Sequence, residues 1–335
     1  MERSSKLIAV LACLMLVVTA FGQKAKHGRE INKPKGYKAP PIAASAEMNE
    51  LLAKAVQATL DEFKAKNFAP QDVSSTLIVL DEKGVEWKQG EVRGNERIYP
   101  ASVVKLFYMA ALERQIEDGK VTVTNELERG LRDMIVDSSN EATQYILDVL
   151  TDTSSGAELP KKQFEAWQYK RDRVNRYFAS MGYENINVNQ KTFCEDAYGI
   201  EQQSRNYKGE NRNMLTTNAV ARLLAEIAAG RIADKTRTAE MMTLLHRNPF
   251  ANGADDDQAH AFTGRLLIDR KLTGTKLWSK AGWTSKTRHD AAYIEMPGGL
   301  KFVLVTFTVD HASETGLIPA LAGKVLDALM AAERY

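Results

Sequence analysis

The chain has 335 residues, 44% of them hydrophobic and 26% charged, with a net charge of +2. That length allows one large domain or two modest ones with a sizeable core. The near-balance of charge gives no basis for nucleic-acid binding or for strongly acidic partners, so clues to partners must come from motifs.

At the N-terminus, Arg3 and Lys6 precede an apolar run from Leu7 to Phe21, and Ala20-Phe21-Gly22 offers a cleavage site before Gln23. This pattern predicts a secretory signal over residues 1–22 and a secreted or periplasmic protein. An uncleaved anchor is the alternative, although the run is short for a membrane span, and no stable span is expected after cleavage. Cys13 is followed by further apolar residues, which argues against lipid attachment there. Once the signal is removed, Cys194 is the remaining cysteine; no internal disulfide is possible, and a partly buried free thiol is expected.

Residues 23–45, rich in Lys, Pro and small side chains, read as a flexible linker, with the folded domain occupying 46–335. Met48, Leu52, Val56, Leu60 and Phe63 then recur at helical spacing. Two strands are predicted at 74–81 and 85–92, joined by a turn holding Gly84. The pattern becomes helical from Ser102 to about Asn248, with long helices at 102–117, 139–151, 161–181 and 217–230. Strands return at 275–282, 289–296 and 300–309, and a last helix carries Leu317, Leu321, Val325 and Leu329 on one side. The order predicts an α/β fold of the α+β type: an antiparallel sheet built from 46–101 and 275–335, flanked by N- and C-terminal helices, with an inserted all-helical part at 102–274.

Pro100-Ala101-Ser102-Val103-Val104-Lys105-Leu106-Phe107 poses the functional question. Ser102 fits a helix N-cap, but a capping box calls for Glu three residues on, and Lys105 carries the wrong sign for the positive end of a helix. Lys105 also sits in a segment apolar nearly all round, so burial should depress its pKa. One turn of helix brings its amine within reach of the Ser102 hydroxyl, which makes an activated nucleophile with its own base.

Two further stretches combine with it. Ser138-Ser139-Asn140-Glu141 reads as a capping box opening a helix, yet Ser138 and Asn140 could also face a cleft, one relaying a proton and the other offering an amide. Lys280-Ala281-Gly282 places a cation on a strand next to small residues over which a ligand backbone can lie. The stretch 253–260, acidic as it is, lacks calcium-loop spacing, and the five histidines lack zinc-like spacing; His289 is expected to be structural.

Ser102-x-x-Lys105, Ser138-Ser139-Asn140 and Lys280-Ala281-Gly282, in this order, resemble the three marks of the penicillin-recognising serine hydrolases, most closely the class A β-lactamases. The resemblance runs from about Met48 to the C-terminus. It implies that Ser102 is acylated, that Lys105 takes its proton, that Ser138 passes a proton to the leaving nitrogen, and that Lys280 supplies positive potential. It further implies an oxyanion hole from the Ser102 and Trp283 N–H groups and substrate contacts from Asn140, Gly282, Thr284 and Arg288, the last a candidate carboxylate anchor. The implied substrate is a β-lactam or a peptidoglycan-peptide-like small molecule handled by a monomer without metal or cofactor.

The sequence departs from the family in three places. Ala281 stands where the family has Thr, with Thr284 or Ser285 as possible substitutes, and Ser139 stands where it has Asp. The family's Glu-x-x-Leu-Asn pattern, whose glutamate activates the deacylating water, is absent; Glu201 lies nearest the expected place and Glu195 second. A D-alanyl-D-alanine carboxypeptidase or penicillin-binding protein is the alternative reading, and a non-catalytic binding module on the same scaffold is the alternative from another class.

Overall fold

The computed structural model describes residues 30–81, 86–251 and 257–332. The expected signal segment, the start of the linker, the Gly84 turn and the first part of 253–260 lie outside the described residues.

The sheet contains β1 (Ile42–Ala44), β2 (Val73–Val79), β3 (Trp87–Val92), β4 (His246–Arg247), β5 (Lys276–Trp283), β6 (Thr287–Glu295) and β7 (Lys301–Val309). Their spatial order is β1-β3-β2-β7-β6-β5-β4, with β1 and β3 parallel and the other neighbours antiparallel. β2 pairs with β7 from Val73↔Thr308 to Val79↔Phe302, so the first part of the chain is zipped to the last as the element order predicts.

Both faces of the sheet are covered, which is why its central strands read as continuous apolar runs rather than alternating ones. Along β7, Phe302 and Leu304 point to one core, and Val303, Val305 and Phe307 point to the other, following the two-residue period of a strand. The first core is shared with α1 (Ala46–Glu62) and α12 (Leu317–Ala332), whose Leu52, Val56, Leu321 and Val325 are buried there. The second belongs to the helical part. It begins with a 3₁₀ turn, Ala101–Val104, and continues through α2 (Lys105–Glu117), α3 (Asn125–Ile135), α4 (Asn140–Thr151), α5 (Lys161–Arg171) and α6 (Arg173–Ser180). Next come α7 (Ile200–Arg205), α8 (Thr217–Ala228) and α9 (Lys235–Leu245), followed after β4 by α10 (Asp257–His260) and α11 (Thr263–Asp269).

Helix α2 is the central post of that part. Leu106, Phe107, Tyr108, Met109 and Leu112 are all fully buried, each large apolar side chain contributing roughly 1.5–3 kcal/mol by leaving water. Such packing fixes the start of α2, and with it Ser102 and Lys105, against the sheet.

Two expectations need correction. The helix expected over 161–181 is broken into α5 and α6 at Asp172, whose carboxylate accepts from the side chains of Asn175 and Asn189 and so holds the chain out of a continuous helix. More importantly, residues 30–45 are not a flexible linker. Ile31 is buried in the helical core, Glu30 is paired with Arg176, the Tyr37 hydroxyl bridges Glu226 and Arg222, and β1 adds an edge strand beside β3. These anchors are single residues spread along a polar segment.

Candidate active site

The site forms where α2 begins against β5. Ala101 has a left-handed backbone, φ 46°, which turns the chain sharply into the 3₁₀ turn and leaves Ser102 half-buried at its head. His289 secures this approach: its Nε2 lies 2.9 Å from the Tyr99 carbonyl, while Nδ1 accepts from the Thr308 N–H. Accepting at Nδ1 requires a neutral ring, in keeping with a pKa that burial pulls down to about 4. His289 is structural, as expected.

Gly282 is required by contact. A Cβ there would lie 2.7 Å from the Ser102 nitrogen, 2.8 Å from that of Val103 and 2.9 Å from the Pro100 carbonyl. The Ser102 N–H, one expected oxyanion donor, therefore lies directly against the strand that carries Lys280, and Trp283 follows with its ring partly exposed over Phe262.

Lys105 is completely buried. Its Nζ donates to the Ser138 carbonyl at 2.5 Å, to the Ser138 Oγ at 3.3 Å and to Asn140 Oδ1 at 3.1 Å. The amine is thus turned toward Ser138 and Asn140 rather than hydrogen-bonded to Ser102. Burial lowers its pKa to about 7, with the charge of Glu141 opposing the shift, so near neutrality a large share of the amine is uncharged and able to take a proton.

Ser138 has a left-handed backbone, φ 56°, in the loop between α3 and α4. The expected capping box is shifted by one residue: Ser139, not Ser138, caps α4 by accepting from the Ala142 N–H at 3.0 Å. That shift frees the Ser138 hydroxyl for the site. It accepts from Lys280 Nζ at 2.9 Å, so Lys105, Ser138 and Lys280 form one hydrogen-bonded chain.

Lys280 is also fully buried, and donates further to Gln258 Oε1 at 2.6 Å and to the Ala281 carbonyl at 2.8 Å. Gln258 and Arg247 are residues of this region that sequence reasoning missed. Gln258 gave no signal, being one amide after an acidic run, and Arg247 is an isolated cation in a two-residue strand. β4 pairs only with Leu277 and Trp278, so β5 from Ser279 to Trp283 lies beyond β4 on that edge.

Other candidates are placed differently. Glu201 is 1% exposed and held in an ionic cluster: Oε2 accepts from Arg171 at 2.7 Å, and Oε1 accepts from Arg171 at 2.8 Å and Ser155 at 2.9 Å, with Lys191 at 3.3 Å. Burial pushes its pKa up, but Arg171 and Lys191 outweigh that and leave it lowered. A carboxylate so fully engaged is a poor base for water, which argues against the role expected for Glu201. Glu195 is exposed in the loop beside Cys194, whose Sγ lies 3.5 Å from Asn140 Nδ2. Cys194 itself is exposed rather than partly buried.

The Thr284 hydroxyl closes the β5–β6 turn by accepting from the Lys286 and Thr287 N–H groups, and its own O–H lies 3.1 Å from the Thr287 hydroxyl. Arg288 lies 4.1 Å over the Phe262 ring and donates to the Ala261 carbonyl, and burial lowers its pKa.

Residues 52–329 match the model of the β-lactamase enzyme family, and the chain belongs to that family. The solved β-lactamase of Sphaerobacter thermophilus is similar over 84% of this chain and 98% of its own, at 20% identity and a TM-score of 0.59. PBP-A is similar over 88% of this chain and 100% of its own, at 16% identity and a TM-score of 0.58. A class A β-lactamase representative from Bacteroides cellulosilyticus is similar over 84% and 98%, at 14% identity and a TM-score of 0.57. No curated protein matches the chain. Family and fold together make it a β-lactamase-like serine hydrolase. No helix among the described residues is long and apolar enough to cross a membrane.

Proposed function

We propose that the chain is an exported class A-like serine hydrolase that opens β-lactam amides through an acyl-enzyme on Ser102. The observation that carries this reading is the buried chain from Lys105 through Ser138 to Lys280. A purely binding scaffold has no use for a desolvated amine beside a serine, which sets aside the non-catalytic alternative.

In the proposed reaction the Ser102 Oγ bonds to the amide carbonyl carbon while its proton passes to the uncharged Lys105 amine. The carbonyl oxygen gains negative charge and is held by backbone N–H groups of Ser102 and Trp283. The C–N bond then breaks, its nitrogen taking the Ser138 proton, and Lys105 returns a proton to Ser138 along their hydrogen bond. Lys280, with Arg288 as a second cation, attracts the substrate carboxylate, and Asn140 offers its amide. Water finally cleaves the ester and restores Ser102.

A second reading is favoured by one observation, the sequestration of Glu201 in its ionic cluster. Without that carboxylate the ester is long-lived, as in a D-alanyl-D-alanine carboxypeptidase or penicillin-binding protein, and a variant of the similar PBP-A is itself an acyl-enzyme complex with penicillin G. Labelling with a fluorescent penicillin tests the common step: the wild type should label and Ser102→Ala should not. Label that persists on Ser102→Ala would remove Ser102 from the mechanism. The rate at which label is lost then separates efficient hydrolysis from slow release.

A further inference from the structure

Ser138 and Lys280 come from different parts of the fold, one from a loop of the helical part and the other from the sheet. Two buried side chains hold these parts in register. Gln258, 3% exposed, engages both ends of its amide at the junction: Oε1 accepts from Lys280 Nζ at 2.6 Å and from the Ala281 N–H at 3.1 Å, while Nε2 donates to the Ile135 carbonyl at 3.2 Å and the Val136 carbonyl at 2.8 Å. Arg247, also 3% exposed, spans the same gap, its Nη2 donating to the Ile135 carbonyl at 3.0 Å and the Ser279 carbonyl at 3.1 Å. Ile135 ends α3, and Val136 lies two residues before Ser138.

We propose that Gln258, supported by Arg247, is a positioning residue of the Ser102 site, holding the Ser138 loop and the Lys280 strand at the separation that proton relay requires. This rests on the reading of Ser102, Lys105, Ser138 and Lys280 as an acyl-transfer site. Residue type matters as well as shape. An amide is the side chain of this length that offers an acceptor to Lys280 and donors to two carbonyls at once. It is also uncharged. The fixed charges that act on Lys280 from the neighbouring strand include Asp290, buried on β6 opposite Ala281, with Arg247 nearby. A neutral acceptor at 258 leaves the Lys280 charge uncancelled from that side, available to a substrate carboxylate.

The test uses two variants of the full chain, Gln258→Met, which keeps the length and loses both sets of hydrogen bonds, and Gln258→Glu, which keeps the acceptor and loses the donors. Two signals are read: the rate of Ser102 labelling by fluorescent penicillin, and the nitrogen NMR signal of the Lys280 ammonium, which hydrogen-bonded burial protects from exchange. Gln258→Met should lose the protected Lys280 signal and label about 100-fold more slowly, the scale expected for displacing a catalytic group by about 1 Å. Gln258→Glu should retain the signal and still label slowly, because the Ser138 loop has lost its donors and the new carboxylate cancels the Lys280 charge. Wild-type labelling rates in both variants, or an unchanged Lys280 signal in Gln258→Met, overturns the proposal. If the wild type itself fails to label, the acyl-transfer reading falls, and the Lys280 signal alone then decides whether Gln258 holds that amine. Should Gln258→Met fail to fold, Gln258→Glu supplies the decisive comparison: wild-type labelling by it rejects the role of the donors.

Discussion

Lys280 Nζ lies 2.9 Å from the hydroxyl of Ser138, a residue 142 positions earlier in the chain. This contact joins the sheet to the helical part at the place where chemistry is proposed. Lys280→Ala should therefore slow penicillin acylation by about 100-fold or more, since both the proposed relay and the proposed partner of the substrate carboxylate are lost. Lys280→Arg should recover little, because a planar guanidinium cannot reproduce the hydrogen bonds to Ser138, Gln258 and the Ala281 carbonyl. Stopped-flow labelling of the two variants measures both effects.

The Lys105 pKa of about 7 fixes the sign of the pH dependence. In the proposed reaction the uncharged amine is the proton acceptor, so acylation should rise as pH increases through 7 rather than fall. A single controlling amine gives about a tenth of the full rate one unit below its pKa and about nine-tenths one unit above it. An acylation rate that is flat from pH 5.5 to 8.5 would remove Lys105 as the base.

Gly282→Ala should be folded and nearly inactive. The added Cβ would meet backbone atoms of Ser102, Val103 and Pro100 inside 3 Å, and backbone cannot swing aside as a side chain can. The turn that presents Ser102, the proposed nucleophile, must shift instead, at a cost on the order of 100-fold in acylation rate. A crystal structure of the variant, compared with its labelling rate, checks displacement and activity together.

The two loop glutamates separate cleanly. Glu201→Gln should lower stability by about 1–3 kcal/mol, since buried Arg171 and Lys191 lose one carboxylate and are left sharing Asp148, while the acylation rate of the folded fraction stays unchanged. Glu195→Gln, exposed beside the loop residue that touches Asn140, should leave stability unaltered and slow any loss of label. Denaturant melts and label-release kinetics on both variants test the pair. Rapid release lost in Glu201→Gln alone would return the water-activating role to that residue.

Removing residues up to Ser45 should lower the melting temperature by several degrees, because Ile31, Tyr37 and β1 are all tied into the fold. Loss of Ile31 burial alone is worth about 2 kcal/mol, or roughly 3 °C at this chain size. An unchanged melting curve would restore the description of this segment as a tether.

What could be read in the sequence and what could not divide along physical lines. The strands and the terminal helices announced themselves by period, since Leu52, Val56, Leu321 and Val325 repeat where a packed face demands them. Lys105 was legible because a charge among Val103, Val104, Leu106 and Phe107 conflicts with its surroundings. The docked arm carries no such period: Ile31 and Tyr37 act singly. The ionic cluster around Glu201 was hidden because counting along the chain cannot reveal Arg171 and Lys191 converging on it from other segments. The capping shift to Ser139 was hidden for a similar reason, as two adjacent serines offer the same chemistry and only the backbone turn at Ser138 decides between them.

That turn has a practical consequence for anyone breeding the protein for heat tolerance. With φ at 56°, the backbone at position 138 suits glycine better than serine, so a screen scored on melting temperature alone favours glycine there whenever relief of that turn exceeds the loss of the hydroxyl's bonds to two buried lysines. Each such winner would have discarded the hydroxyl that links the two lysines. Durability and turnover compete for a single position, and a useful screen has to score both.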